Sequence, residues 1–259
     1  MKLLDVKNIS IGFGGLLAVD QVSFHVNEGE IVSIIGPNGA GKTTIFNMLT
    51  GVYKIDSGSI ELDGEFIHNK SPQAIVALGI SRTFQNIRLF HNMRVIENVL
   101  VGTHIRTKYR FMDVLLRTKR FKQEEKEKKL RAVEILRGIG LEKRIHDYAD
   151  GLPYGEKRKL EIARAIATDA RILLLDEPAA GMNPQESEEL LRFIKGLQQK
   201  GHTIIMIEHD MKVVLNISDR IYVIDHGRKI AEGLPEEIIK DKRVIEAYLG
   251  GERENVSSE

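Results

Sequence analysis

Two kinds of hydrophobic pattern divide the chain. Near the N-terminus apolar and polar positions interleave: Leu4, Val6 and Ile9, then Val22, Phe24 and Val26. Spacing of that kind puts the apolar set on one face and predicts an antiparallel layer with one wet side. Further on, apolar residues come in short unbroken runs: Ile31 to Ile35, Ile172 to Leu175 and Ile204 to Ile207. Such runs predict parallel strands buried on both faces. Helical spacing follows each run, over about 43–50, 184–200 and 211–217. Strand–helix alternation implies a layered α/β core.

Residues 91–170 break the alternation. Strand signals vanish and charge dominates, with Glu124/Lys128, Glu125/Lys129 and Glu127/Arg131 placed as i,i+4 pairs in the favourable orientation. This stretch predicts an inserted helical subdomain between the two parts of the α/β core, 1–90 and 171–234. After Pro235 two short helices are expected, then a polar tail from Gly250 to Glu259 that frays. Residues 235–259 are thus expected to form a C-terminal extension to a single domain.

Composition narrows the function classes. The 259 residues carry 38 basic and 37 acidic side chains, so the net charge of +1 argues against a wholesale nucleic-acid binder. With no cysteine there is no disulfide framework, thiolate metal site or cysteine nucleophile. No apolar run reaches the roughly 18 residues that cross a bilayer, and Asp5 interrupts any leader-like start. A cytosolic protein is expected, with any membrane role reached through a partner. The eight histidines show no metal-ligand spacing.

The chemistry is concentrated at strand ends. Gly36-Pro37-Asn38-Gly39-Ala40-Gly41-Lys42-Thr43 has P-loop spacing and stands between a buried strand and a helix. Glycines there let backbone N–H groups converge on phosphates, and the helix N-terminus adds its dipole. Lys42 would reach the β- and γ-phosphates, the Thr43 hydroxyl would bind Mg²⁺, and Thr44 would make a further phosphate contact. Gly51 is placed to end the helix as a left-handed cap. Asp176 closes the second run and is a candidate Mg²⁺ carboxylate; Glu177 is the candidate base for the attacking water. His209 follows the third run, on the same rim where open α/β sheets bind ligands.

With these motifs in place the chain resembles the ATP-binding-cassette (ABC) ATPases over nearly its whole length. The resemblance implies a P-loop core with an antiparallel β subdomain and a helical subdomain. Thr83-Phe84-Gln85 is similar to the Q-loop, so Gln85 would touch Mg²⁺ or the attacking water and sense a transmembrane partner. Asp176 and Glu177 match the Walker B pair, and His209 matches the switch histidine. Phe13 lies where the family stacks an aromatic on adenine; a Phe buried in an edge strand is the alternative. Ala180-Gly181-Met182-Asn183 resembles the D-loop, with Asn183 where aspartate is usual.

Leu152-Pro153-Tyr154-Gly155-Glu156 stands in the place of the family's signature, Leu-Ser-Gly-Gly-Gln. Pro153 removes the serine hydroxyl, which implies weaker transition-state stabilisation, while suiting the first turn of a helix. By resemblance Leu152, Tyr154, Gly155, Glu156 and Asn183 would contact nucleotide held by a second subunit. Phe13-Gly14-Gly15-Leu16, Arg82 to Phe90, Glu177 to Gly181 and Ala247 to Gly250 resemble one branch, the longer ATPase type of branched-chain amino acid importers. Lipopolysaccharide-export ATPases share several of these stretches, and a soluble cassette ATPase acting on nucleic acid or ribosomes is a more distant alternative.

The resemblance implies ATP and Mg²⁺ as cofactors. Its expected partners are a second ATPase subunit (identical or paralogous), two transmembrane permease subunits and, indirectly, a substrate-binding protein. The expected location is the inner face of the cell membrane. Arg106, Lys108, Arg110, Arg117, Lys119, Arg120 and Lys122 also surround Tyr109, Phe111, Leu115, Leu116 and Phe121, with Asp113 the only acid. That stretch reads either as a surface for anionic headgroups or transporter loops, or as a solvated helix with an apolar packing side.

Overall fold

The computed structural model describes residues 1–248. The interleaved N-terminal pattern forms β1 (Lys2–Phe13) and β2 (Leu16–Asn27), an antiparallel pair. The first unbroken run forms β3 (Ile31–Ile35), followed by α1 (Lys42–Leu49). Next come β4 (Ser57–Leu62), β5 (Glu65–Phe66), α2 (Pro72–Leu78) and β6 (Ile80–Arg82). The helical insert holds α3 (Val95–Thr103), α4 (Phe111–Leu115), α5 (Lys119–Gly138) and α6 (Tyr154–Ile166). The core resumes with β7 (Ile172–Asp176), α7 (Pro184–Gln199), β8 (Thr203–Ile207), α8 (Met211–Ile217), β9 (Arg220–Asp225) and β10 (Arg228–Gly233). α9 (Pro235–Ile238) and a helical run over 242–248 follow. The expected tail from Gly250 lies outside the described residues.

The strands make two sheets. One has the order β2-β1-β4-β5; the other is β10-β9-β3-β8-β7-β6, parallel except for the β9–β10 hairpin. All residues of β3, β7 and β8 are buried, as unbroken apolar runs require. Each fully buried Ile or Leu there contributes about 1.5–3 kcal/mol. β3, β7 and β8 are neighbours and run the same way, so their carboxyl ends deliver the P-loop, Asp176-Glu177 and Glu208-His209 to one edge. That juxtaposition is the chief contribution of the fold to the site.

The insert has its own apolar centre, which includes Val95, Val99, Leu136, Leu152 and Leu160. Of the three expected helical ion pairs only Glu124–Lys128 forms, at 3.4 Å. Glu127 instead accepts from Gln123, Arg131 pairs with Asp169 at the end of α6, and Lys128 also reaches Glu125. For Arg131 a tertiary partner outcompetes the neighbour on its own helix, exposed i,i+4 pairs being worth only about 0.3–0.5 kcal/mol.

Candidate functional site

The P-loop leaves β3 and wraps into α1 through backbone that only glycine allows. At Gly36 a Cβ would stand 1.9 Å from the Ile224 carbonyl oxygen, and at Gly41, with φ +102°, 2.5 Å from that of Ala18. The β9–β10 turn buttresses the loop, with the Gly227 N–H donating to Ala40 O at 3.0 Å. Gly51, at φ +69°, follows α1 as the expected left-handed cap. Lys42 is buried and donates to the carbonyls of Gly36 and Pro37 at 2.7 and 2.8 Å. Burial pushes its ammonium below the ordinary lysine range, while Glu177 and Asp176 pull it back. Thr43 is exposed and Thr44 half-buried at the start of α1.

Beyond the loop, Glu177 is the centre of a cluster. One carboxylate oxygen accepts from Gln85 Nε2 at 2.8 Å, and the other stands 3.7 Å from His209 Nδ1. Gln85, Glu177 and His209 come from three separate segments, and the fold brings them together. Glu177 has φ +44°, an uncommon conformation for a residue with a side chain. Its N–H donates to Ile207 O at 2.9 Å, which fixes the turn that aims the carboxylate. Strained backbone held in this way is a recurring feature of functional sites.

Asp176 is buried at the end of β7 and accepts from Arg82 at 2.6 Å. Arg82 also donates to Asn47 Oδ1 and lies over the rings of Phe46 and Phe84. Its Nε is buried without a hydrogen-bond partner. No group of three His, Cys, Asp or Glu side chains able to hold a metal occurs among the described residues. One carboxylate, one hydroxyl and one amide suit Mg²⁺, which takes its remaining ligands from water and phosphate oxygens.

Phe13 is half exposed at the end of β1, so the alternative of a buried edge-strand Phe is set aside. Its ring meets Tyr53 edge-on at 5.2 Å, a partner that no spacing rule revealed.

The signature segment and the D-loop spend several of their groups within the chain. Pro153 takes the N-cap of α6 rather than its first turn, leaving Tyr154 and Gly155 as the first helical residues. Leu152 is buried in the apolar centre of the insert, where its side chain anchors the segment. Asn183 spends its side-chain oxygen as the N-cap of α7, accepting from the Glu186 N–H at 2.9 Å, so that oxygen is committed within the chain. Glu156 faces Arg144 at 3.5 Å. The Tyr154 hydroxyl donates to Ala180 O at 3.0 Å and so ties the signature segment to the D-loop of its own chain.

Sequence reasoning missed the residues that support this constellation. Arg158 and Glu161 are fully buried and paired at 2.9 Å. Arg158 donates to the carbonyls of Phe84 and Gln85 at 2.7 and 2.8 Å, and Glu161 accepts the Arg88 N–H at 3.1 Å. Their i,i+3 spacing was visible, but nothing local says that the pair faces inward. Glu208 is buried and accepts from the amides of Ala179 and His209. Burial pushes its carboxyl above the usual range, opposed first by the Ala179 amide.

Comparisons with known proteins agree with this geometry. A family profile described as "ABC transporter" matches residues 19–180, and one described as "Branched-chain amino acid ATP-binding cassette transporter" matches 228–254. The high-affinity branched-chain amino acid transport ATP-binding protein LivG of Salmonella typhimurium is 49% identical over 96% of this chain and 98% of its own. The corresponding BraF of Pseudomonas aeruginosa is 46% identical over the same shares. Among solved structures, an ATP-binding cassette of an ABC transporter in its ADP conformation superposes with a TM-score of 0.85 at 35% identity, covering 96% of this chain and 99% of that one. A nucleotide-free cassette gives 0.83 at 34%, over the same shares. A P-loop core, a carboxylate cluster at its rim and end-to-end similarity together make this chain a member of the ABC transporter family, within its branched-chain amino acid transport ATP-binding proteins.

Proposed function

We propose that this protein hydrolyses ATP to energise import of branched-chain amino acids through separate membrane subunits. The observation that carries the hydrolytic reading is the Glu177 carboxylate held between Gln85 and His209, on the rim to which β3 also delivers the P-loop. Relatives that match end to end are branched-chain amino acid transport ATP-binding proteins, which supports that solute class.

Lys42 and the amides of Gly39, Ala40 and Gly41 would bind the triphosphate, with Asn38 and Pro37 completing the loop. Thr43, Asp176 and Gln85 would hold Mg²⁺, which when bound neutralises charge on the phosphate oxygens. Asp176 would have to share itself between that role and Arg82. Glu177 would orient the attacking water and take its proton, with Gln85 fixing one oxygen and His209 contacting the γ-phosphate. Phe13, with Tyr53 behind it, would stack on adenine. The amides of Tyr154 and Gly155 on a second subunit would close the site in trans.

No helix among the described residues is long and apolar enough to cross a membrane. We infer attachment to the inner membrane face through two permease subunits, with either an identical or a paralogous ATPase as the second copy. Nucleic acid is not among the proposed partners, given the near-neutral charge. Glu177→Gln is expected to bind ATP with little change in affinity and to lose at least about 100-fold in turnover, general-base contributions being of that order. Turnover within a few-fold of the parent would remove Glu177 from the reaction.

A further inference from the structure

The basic stretch of the insert is neither an ordinary solvated helix nor a packed one. Tyr109 is pinned to α5: its ring meets Phe121 edge-on at 5.1 Å, Lys128 lies over it at 4.4 Å, and its hydroxyl donates to Glu125 at 3.0 Å. Beyond this anchor α4 carries its apolar residues into solvent. Phe111 is 79% exposed, Met112 55%, Leu115 65% and Leu116 67%, and none of them joins an apolar cluster of the described residues. This corrects the reading in which the apolar side packs on the chain itself. A patch of adjacent large apolar side chains, as opposed to scattered ones, marks an interaction surface.

The charges around the patch are arranged for an anionic partner. Lys108, Arg110, Arg117, Lys119 and Lys122 are exposed and have no carboxylate within ion-pair distance among the described residues. The acids nearby are already engaged. Asp113 accepts from the Arg110 N–H and the Thr118 hydroxyl, and Glu124 accepts from the Lys108 N–H and faces Lys128. Arg106 is turned toward Asp169, and Arg120 donates to Lys108 O. The segment therefore combines an apolar tip with a collar of unpaired cations.

We propose that this tip is a membrane-contact element: Phe111, Met112, Leu115 and Leu116 enter the headgroup region of an anionic bilayer while the five cations face lipid phosphates. A lipid surface accounts for both halves of the pattern, because it is the one environment that offers phosphate charge directly above an apolar layer. The element is separate from the ATP site and acts as an additional tether beside the permease subunits, so it stands or falls independently of the catalytic assignment. A tip of four side chains binds weakly alone, and its effect adds to that of other attachments.

Co-sedimentation of the full chain with vesicles tests the proposal directly. Vesicles of phosphatidylcholine with phosphatidylglycerol are expected to capture at least about tenfold more protein than phosphatidylcholine alone. Raising the salt to about 0.5 M should release most of it, since the Debye length then falls to about 4 Å. Two variants separate the contributions: Phe111→Ser with Leu115→Ser and Leu116→Ser removes the tip, and Lys108→Gln with Arg110→Gln and Arg117→Gln thins the collar. Both change exposed side chains only, and retained ATP binding shows that the fold is intact. Each is expected to abolish capture by anionic vesicles. The proposal is overturned if the parent ignores anionic vesicles, if neutral vesicles capture it equally, or if either variant binds like the parent. Patch-dependent binding to detergent-solubilised permease without vesicle binding would make the tip a protein-docking face and overturn it too.

Discussion

Glu208 sits one residue before His209 and holds two turns together, one leading from β7 and one from β8. Because burial raises its folded-state pKa above the ordinary value of 4.5, the folded chain binds a proton there more readily than the unfolded chain. The stability it contributes is therefore complete below about pH 4.5 and is lost as pH rises through its folded value. Glu208→Gln keeps one acceptor oxygen and removes the titration. Relative to the parent, the variant is expected to gain stability as the pH is raised from 5 to 8, because it lacks the carboxyl that burial disfavours in its charged form. Urea midpoints at the two pH values measure this. Parallel pH responses would mean that Glu208 titrates alike in both states.

Among the elements, α6 is the one whose position depends most on buried charge. Its first turn carries the signature residues, and its inner face carries Arg158 and Glu161, stapled to the backbone of the Q-loop. Removing one member of such a pair leaves the other buried and unmatched, at a cost of about 3–5 kcal/mol. Arg158→Met should lose that much in chemical denaturation, whereas Arg158→Met with Glu161→Leu should recover part of it by removing the unmatched charge. The double variant still leaves the Phe84 and Gln85 carbonyls unheld, which loosens the Gln85 amide against Glu177. Its kcat is expected to fall with KM nearly unchanged, the pattern of an interaction made in the transition state. If the double variant turns over ATP like the parent, the pair serves stability alone.

At the scale of the whole molecule, the proposed mechanism supplies the signature amides of each site from a second chain. The γ-phosphate would then act as a differential ligand: it favours the closed pair, and its loss removes that preference. Glu177→Gln with ATP and Mg²⁺ should accordingly shift from monomer to dimer in light scattering, and the same protein with ADP should remain a monomer. ATP retained at stoichiometry by a protein that stays monomeric would contradict closure in trans.

How far the sequence could be read depended on the range of the forces involved. Unbroken apolar runs at 31–35, 172–175 and 204–207 were legible as buried strands because burial on both faces is a local property of composition. The short strands β5 and β6 were not, since too few residues carry a period and sheet pairing makes up the difference. Likewise Lys42, Asp176, Glu177 and His209 announced themselves, because phosphate chemistry fixes residue types next to strand ends.

What the chain alone determined, then, was an α/β core with nucleotide chemistry on one rim and a charged helical insert. The tertiary structure decided which groups meet: Gln85 and His209 on Glu177, Arg82 on Asp176, Arg158 beneath the Q-loop, and an apolar tip left in solvent. Propensity and periodicity act over a few residues. Pairing between groups some 73 to 94 positions apart is set by how whole elements pack, and no local pattern encodes it.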